Sequence, residues 1–166
     1  VNEWPRDVID MAVRQIVVGV DGSQGGRRAL AWALEQAAAS GAAVQAVLSW
    51  WWGDPSTPLA DARACQESAQ LTLDREVRAQ PVRHGVSVAA EVVEGRPADV
   101  LVAAARTADL LVLGSHGHGR VHHTILGSVS EACIANAPCP VVVIPVPGPP
   151  RPAADAVPAA TEGASR

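Results

Sequence analysis

Five short apolar runs recur along this chain at intervals that helices can fill, and that alternation restricts the fold more than any single residue does. The runs are QIVVGV (residues 15–20), AVQAVLSW (43–50), one within HGVSVAAEVVEG (84–95), ADLLVLG (108–114) and CPVVVIPV (139–146). QIVVGV and ADLLVLG are almost continuously apolar, the pattern of strands covered on both faces. Between the runs lie segments that read as helices, at residues 26–39, 59–80, 97–106 and 128–136. Strands alternating with helices predict a parallel sheet between two helical layers. With right-handed crossovers, the expected fold is a three-layer α/β/α domain wound like flavodoxin, strand order 3-2-1-4-5. In that order the first and fourth strands are neighbours whose connections leave to opposite faces. A crevice should then open at their carboxyl ends, where Asp21 and Gly114 stand.

Local signals mark the joints. Asp21-Gly22-Ser23 reads as a turn and helix start. Leu30, Trp32, Ala33, Leu34 and Ala37 supply the apolar positions of the first helix, and Ser40-Gly41 ends it. WGDPSTP (residues 52–58) reads as a loop, and in the helix that follows Leu71, Leu73 and Val77 are expected to be partly buried. Pro97 suits a first helical turn. Outside a domain at residues 15–146, residues 1–14 form a weakly patterned extension, with either Val1 or Met11 as the start. Residues 147–166, rich in proline and alanine, form an expected flexible tail.

Composition narrows the chemistry. Lysine is absent and the net charge is −4, which argues against a nucleic-acid surface and rules out the phosphate-binding lysine of a Walker loop. No apolar run is long enough for a membrane span and no secretion signal is evident, so the expected location is the cytoplasm. Cys65, Cys133 and Cys139 form no regular framework. Cys133 and Cys139 read as small core residues, and the odd count fits a reducing compartment. With phenylalanine and tyrosine also absent, alanine, valine and leucine must fill the core.

The segment GSHGHGRVHHTILGSVS, from Gly114 to Ser130, breaks the core pattern. Glycine admits positive φ and leaves no side chain in the way, so backbone N–H groups can converge on phosphate oxygens. Gly114, Gly117 and Gly119 would form a near wall, and Gly127-Ser128 would bring the anion to the start of the next helix. Ser128 and Ser130 offer hydroxyl donors without needing a cation. A glycine-rich surface loop without a ligand is the competing reading.

These stretches resemble a known family. GSHGHGRVHHTILGSVS fits the pattern G-x2-G-x9-G-[ST] of ATP-binding universal stress proteins. VVGVDGS, ADLLVLGSHG and GSVSEACIANAPCPVVVIP are similar to that family's first strand and turn, fourth strand and last helix–strand unit. The resemblance implies ATP as ligand, with Mg2+ or Mn2+ held mainly by phosphate oxygens and water. It implies that Gly19, Val20 and Asp21 lie beside the adenosine, Asp21 serving otherwise as a cap for the first helix. Ser49 is the nearest match at the end of the second strand. Gly114, Gly117, Gly127 and Ser128 match the phosphate and ribose motif, followed by Val129 and Ser130. Ser115, His116, Gly117, His118, Gly119 and Arg120 would form a flap, in which Arg120 either offsets phosphate charge or is a solvated loop residue. The final strand, from Pro140 to Val146, resembles the edge through which members dimerise, so a homodimer is expected. The implied function is a nucleotide-dependent regulatory module in the stress response that acts on a protein partner the sequence does not name. A slow ATPase or phosphotransferase is one alternative and an empty-pocket dimerisation module is another.

Two further features compete for attention. His116, His118, His122 and His123 crowd one loop, but no carboxylate or cysteine accompanies them, which disfavours a closed metal site. Trp50, Trp51 and Trp52 end the second strand and fit a rim or interface better than a base-stacking platform.

Overall fold

A computed structural model describes residues 13–51, 59–81, 83–116 and 126–146. Its elements run β1 (Gln15–Gly19), α1 (Gln24–Ser40), β2 (Ala43–Trp50), α2 (Leu59–Arg78), β3 (Val88–Glu94), α3 (Pro97–Ala104), a short 3-10 turn (Ala105–Thr107), β4 (Leu110–Gly114), α4 (Ser128–Asn136) and β5 (Val141–Ile144). The five strands are all parallel, in the order β3-β2-β1-β4-β5, as the alternation of runs predicts. Gly19 lies beside Val47, Val18 beside Val112, and Gly114 beside Ile144, so the ends of β1, β2, β4 and β5 form one rim.

The two-residue period of a strand divides the core between the faces of the sheet. Ile16, Val18 and Val20 join Leu30, Ala33, Val44, Ala46 and Leu73 under α1 and α2. Val17 joins Val47, Leu101, Leu111, Leu113 and Cys133 under α3 and α4. Both cores are built from alanine, valine and leucine with a few other residues, as a chain without phenylalanine or tyrosine requires.

Helix boundaries follow their caps. Ser23 is the N-cap of α1, its Oγ accepting from Gly26 N at 3.1 Å, so the helix begins two residues before the expected Gly26. Gly41 closes it with φ +75, and its N–H donates to the Ala37 carbonyl at 2.8 Å. On α2 one expectation fails: Leu73 is fully buried but Leu71 is 71% exposed. Two residues on a helix differ by about 200°, so a residue two positions from a buried one faces solvent. Trp32 and Val77 are half-buried. At the amino ends of β1 and β4, Asp109 Oδ2 accepts from the backbone N–H groups of Arg14 and Gln15 at 2.8 and 2.9 Å, tying the two strands together. The extension, except Val13 and Arg14, and the tail lie outside the described residues, as does the loop at 52–58.

Candidate functional site

A cavity of about 350 Å³ opens at the carboxyl ends of β1 and β4, between α3, α4 and the start of α1. This is the crevice expected where the strand order reverses. Gly19, Val20 and Asp21 reach it from the end of β1, Ser49 from β2, and Gly114 and His116 from the end of β4. Gly127, Ser128, Val129 and Ser130 reach it from the start of α4. Ten of the fifteen expected site residues therefore converge on one cavity. Gly117, His118, Gly119 and Arg120 lie outside the described residues, together with His122 and His123.

Ser115 does not line the cavity. It is buried and works as a junction: its N–H donates to Ile144 O at 2.8 Å, and its carbonyl accepts from Gly127 N at 2.7 Å. Its Oγ accepts from Val146 N at 3.0 Å and lies 3.0 Å from His116 Nδ1. One residue thus joins β4, β5 and the start of α4. Ser130 is also committed, because its hydroxyl donates to Gly114 O at 2.9 Å. The expectation that Ser130 offers its proton to a ligand gives way to this bond, and Ser128, exposed at the first position of α4, keeps a hydroxyl at the cavity.

The glycines divide by what makes them glycine. Positive φ occurs at Gly22, Gly41, Gly85 and Gly95 among the described residues, not at Gly114 or Gly127, so conformational freedom is not what the described site glycines supply. A Cβ on Gly114 would stand 2.5 Å from the backbone of Gly25, so Gly114 is bare because α1 packs directly on it. Among the described residues, the nearest atom to a Cβ on Gly127 would be the Ser115 carbonyl oxygen, at 3.4 Å. Gly127 therefore leaves free the space of the cavity itself.

Gly127 is also the N-cap of α4, with φ −83 and no side-chain cap. The N–H groups of Ser128, Val129 and Ser130 belong to the first turn of α4, whose N–H groups have no partner within the helix itself. Here they border a cavity whose lining, among the described residues, includes no arginine. Uncapped N–H groups at a helix start favour an anion. The floor has the opposite character. Val47, Pro97, Leu101 and Leu113 line it with apolar surface. Sequence reasoning missed these four and Gly26. Pro97 and Leu101 were legible as one face of α3 by their i, i+4 spacing, but nothing local said which layer they would cover.

Asp21 bridges the two readings made of it. Its Oδ1 accepts from Ser23 N at 3.0 Å and from Ser23 Oγ at 2.6 Å, so it braces the residue that caps α1 while lining the cavity. Cys133 is fully buried behind α4, and burial pushes its thiol up to about 11, which keeps it a neutral core residue as expected. Cys139 is half-buried with its thiol raised for the same reason. Among the described residues no group of three or more histidine, cysteine or acidic side chains is placed to hold a metal ion.

Residues 12–145 match the family model described as the universal stress protein family. The chain belongs to that family. A universal stress protein of Mycobacterium tuberculosis is 37% identical over 132 residues, covering 77% of this chain and 44% of the relative. This universal stress protein therefore spans less than half the length of the mycobacterial relatives it first matches. A universal stress protein of Thermus aquaticus is 34% identical over 137 residues and is covered over 98% of its length. Among solved structures, a universal stress protein crystallised in complex with cAMP is 28% identical, with a TM-score of 0.56, covering 80% of this chain and 97% of that one.

Proposed function

We propose that this universal stress protein binds an adenine nucleotide, ATP in the first instance, and works as a nucleotide-dependent regulatory module in the stress response. The observation that carries the reading is the junction of an apolar floor with an uncapped helix start inside one cavity. The floor formed by Val47, Pro97, Leu101 and Leu113 suits a purine ring. Asp21 can accept from ribose hydroxyls. The Ser128, Val129 and Ser130 N–H groups and the Ser128 hydroxyl suit phosphate oxygens. Gly127 gives those oxygens their approach. The cAMP complex of a 28% identical family member supports the ligand class.

Mg2+ or Mn2+ enters this reading through the phosphates, which with water would supply most of its ligands. Bound there, it would screen phosphate charge. The segment carrying Gly117, His118, Gly119 and Arg120 would cover the ribose and phosphates and change the surface offered to a partner protein. A second copy of the chain would pair through β5, whose residues are all half-exposed and which, among the described residues, pairs with β4 alone. None of the described helices is long and apolar enough to cross a membrane.

The test is binding. Nucleotide released on denaturing the purified protein, or a rise in melting temperature with ATP, supports the reading. ATP at a hundred times its Kd adds about 2.7 kcal/mol, a shift of roughly 5–11 °C for a domain of this size. No response to ATP, ADP, AMP or cAMP, from protein freed of bound nucleotide, defeats it. Phosphate release measured over hours separates a switch from a slow ATPase.

A further inference from the structure

We propose that Glu76, acting through Arg27, is a positioning residue that holds the Asp21-Gly22-Ser23 turn and thereby sets nucleotide affinity from α2; the affinity part rests on the reading above. Glu76 is 2% exposed, on the inner face of α2. Its Oε1 accepts from Arg27 Nη1 and from Arg75 Nη2, each at 3.3 Å. Its Oε2 is buried and has no hydrogen-bond partner among the described residues. A buried carboxylate with one orphan oxygen is a costly way to pack two helices, since desolvation opposes it and an apolar side chain of similar volume would pack as well. What the carboxylate gains is the orientation of Arg27.

Arg27 carries that orientation to the site. The same Nη1 that meets Glu76 donates to the Gly22 carbonyl at 2.8 Å. Gly22 has φ +77, and a Cβ there would stand 3.0 Å from Thr72 Cγ2, so α2 lies directly against the turn. On either side of Gly22 stand Asp21, which lines the cavity, and Ser23, which caps α1 and is held by Asp21 Oδ1. The turn is thus gripped from within by the Asp21–Ser23 bonds and from outside by a strut running from Glu76 through Arg27 to Gly22. Neither Glu76 nor Arg27 lines the cavity, so their bonded route to it runs through the turn, and a through-space charge effect would instead shift affinity for an anion in opposite directions in the two variants.

The experiment is a double-mutant cycle on ATP affinity at a temperature well below melting, with Glu76→Gln, Arg27→Met and the pair. Each single variant should weaken ATP binding about tenfold, and the pair should be no worse than either one. The melting temperature of ligand-free Glu76→Gln should change little, and its Ser23 amide should exchange hydrogen faster than in the parent protein. Helix packing alone would move the melting temperature instead. Parent-like ATP affinity in either variant, or losses that simply add, overturns the strut. If Glu76→Gln does not fold, Arg27→Met decides alone, since the Arg27 side chain is 48% exposed. A parent protein that binds no adenine nucleotide defeats the proposed function. The strut is then judged in ligand-free protein, where unchanged exchange at Ser23 overturns it.

Discussion

Two helices begin at the same rim of the sheet, α1 after β1 and α4 after β4, and they begin in opposite ways. The start of α1 is satisfied from inside the protein. Ser23 caps it, Asp21 braces the cap, and Gly25 and Gly26 lie against the carbonyl of His116 and the carboxylate of Asp21, with no room for a side chain. The start of α4 is left open. Gly127 offers no cap, and a Cβ there would be in ordinary contact with the protein. Both starts are rich in glycine and serine, yet one is filled by the chain and the other faces a cavity. Glycine in such a loop thus has two physical meanings, close approach of backbone and open space at a cavity, and only the neighbouring atoms tell them apart.

The contrast breaks most visibly where protein fills the space. Gly25→Val should destabilise the fold by about 3 kcal/mol, because backbone rather than a flexible side chain stands in the way. Thermal melting should show a fall of roughly 6–12 °C. At α4 the same substitution should act on the ligand instead. Gly127→Val should cost about a hundredfold in ATP affinity, near 2.7 kcal/mol, with melting of the ligand-free protein almost unchanged. Titration calorimetry beside melting checks both halves, and a large loss of stability in Gly127→Val would place this glycine with Gly25.

Capping gives a finer version. Ser23→Ala should cost about 1 kcal/mol of stability by removing an N-cap bond. Gly127→Asp supplies the cap that α4 lacks. It should raise stability by a few tenths of a kcal/mol while lowering ATP affinity, since its carboxylate would take the N–H groups that phosphate needs. Denaturant titrations with and without ATP would register opposite signs at that one position.

The smallest effect belongs to the opposite end of the same two strands. Two backbone N–H groups hold the Asp109 carboxyl below its ordinary value. A carboxyl with a lowered folded pKa stabilises fully above its unfolded value, near 4, and loses that contribution as pH falls through the folded value. Asp109→Asn should therefore flatten the acid side of the stability profile and leave ATP affinity at neutral pH unchanged. An unaltered acid limb would mean that the tie between β1 and β4 contributes nothing.

How far these features were legible depends on the range of the cause. The strands were readable because a run such as Ile16, Val17 and Val18 is buried on both faces whatever its neighbours are. The α1 terminus was readable because Gly41 is a local stop. Leu71 misled because an apolar residue on the wrong side of a helix looks the same in sequence as one on the right side. In the site, Gly114 and Gly127 were both marked by spacing, but their different reasons were hidden. The serines show the same limit: Ser128 stays open, while Ser115 and Ser130 are taken up by Val146, Gly127 and Gly114. Glu76 gave no signal at all, as one acidic residue among several on α2.

By itself the sequence determined the alternation of strands and helices, their order in the sheet, and the rim at which a ligand would sit. Those follow from periodicity and chirality, which act within a few residues or apply to every crossover alike. Only the tertiary structure decided which glycines make room for α1 and which border the cavity, which hydroxyls remain available, and that a carboxylate on α2 reaches the Asp21 turn. Each of these turns on a distance of about 3 Å between residues far apart in the chain, and no local pattern encodes such a distance.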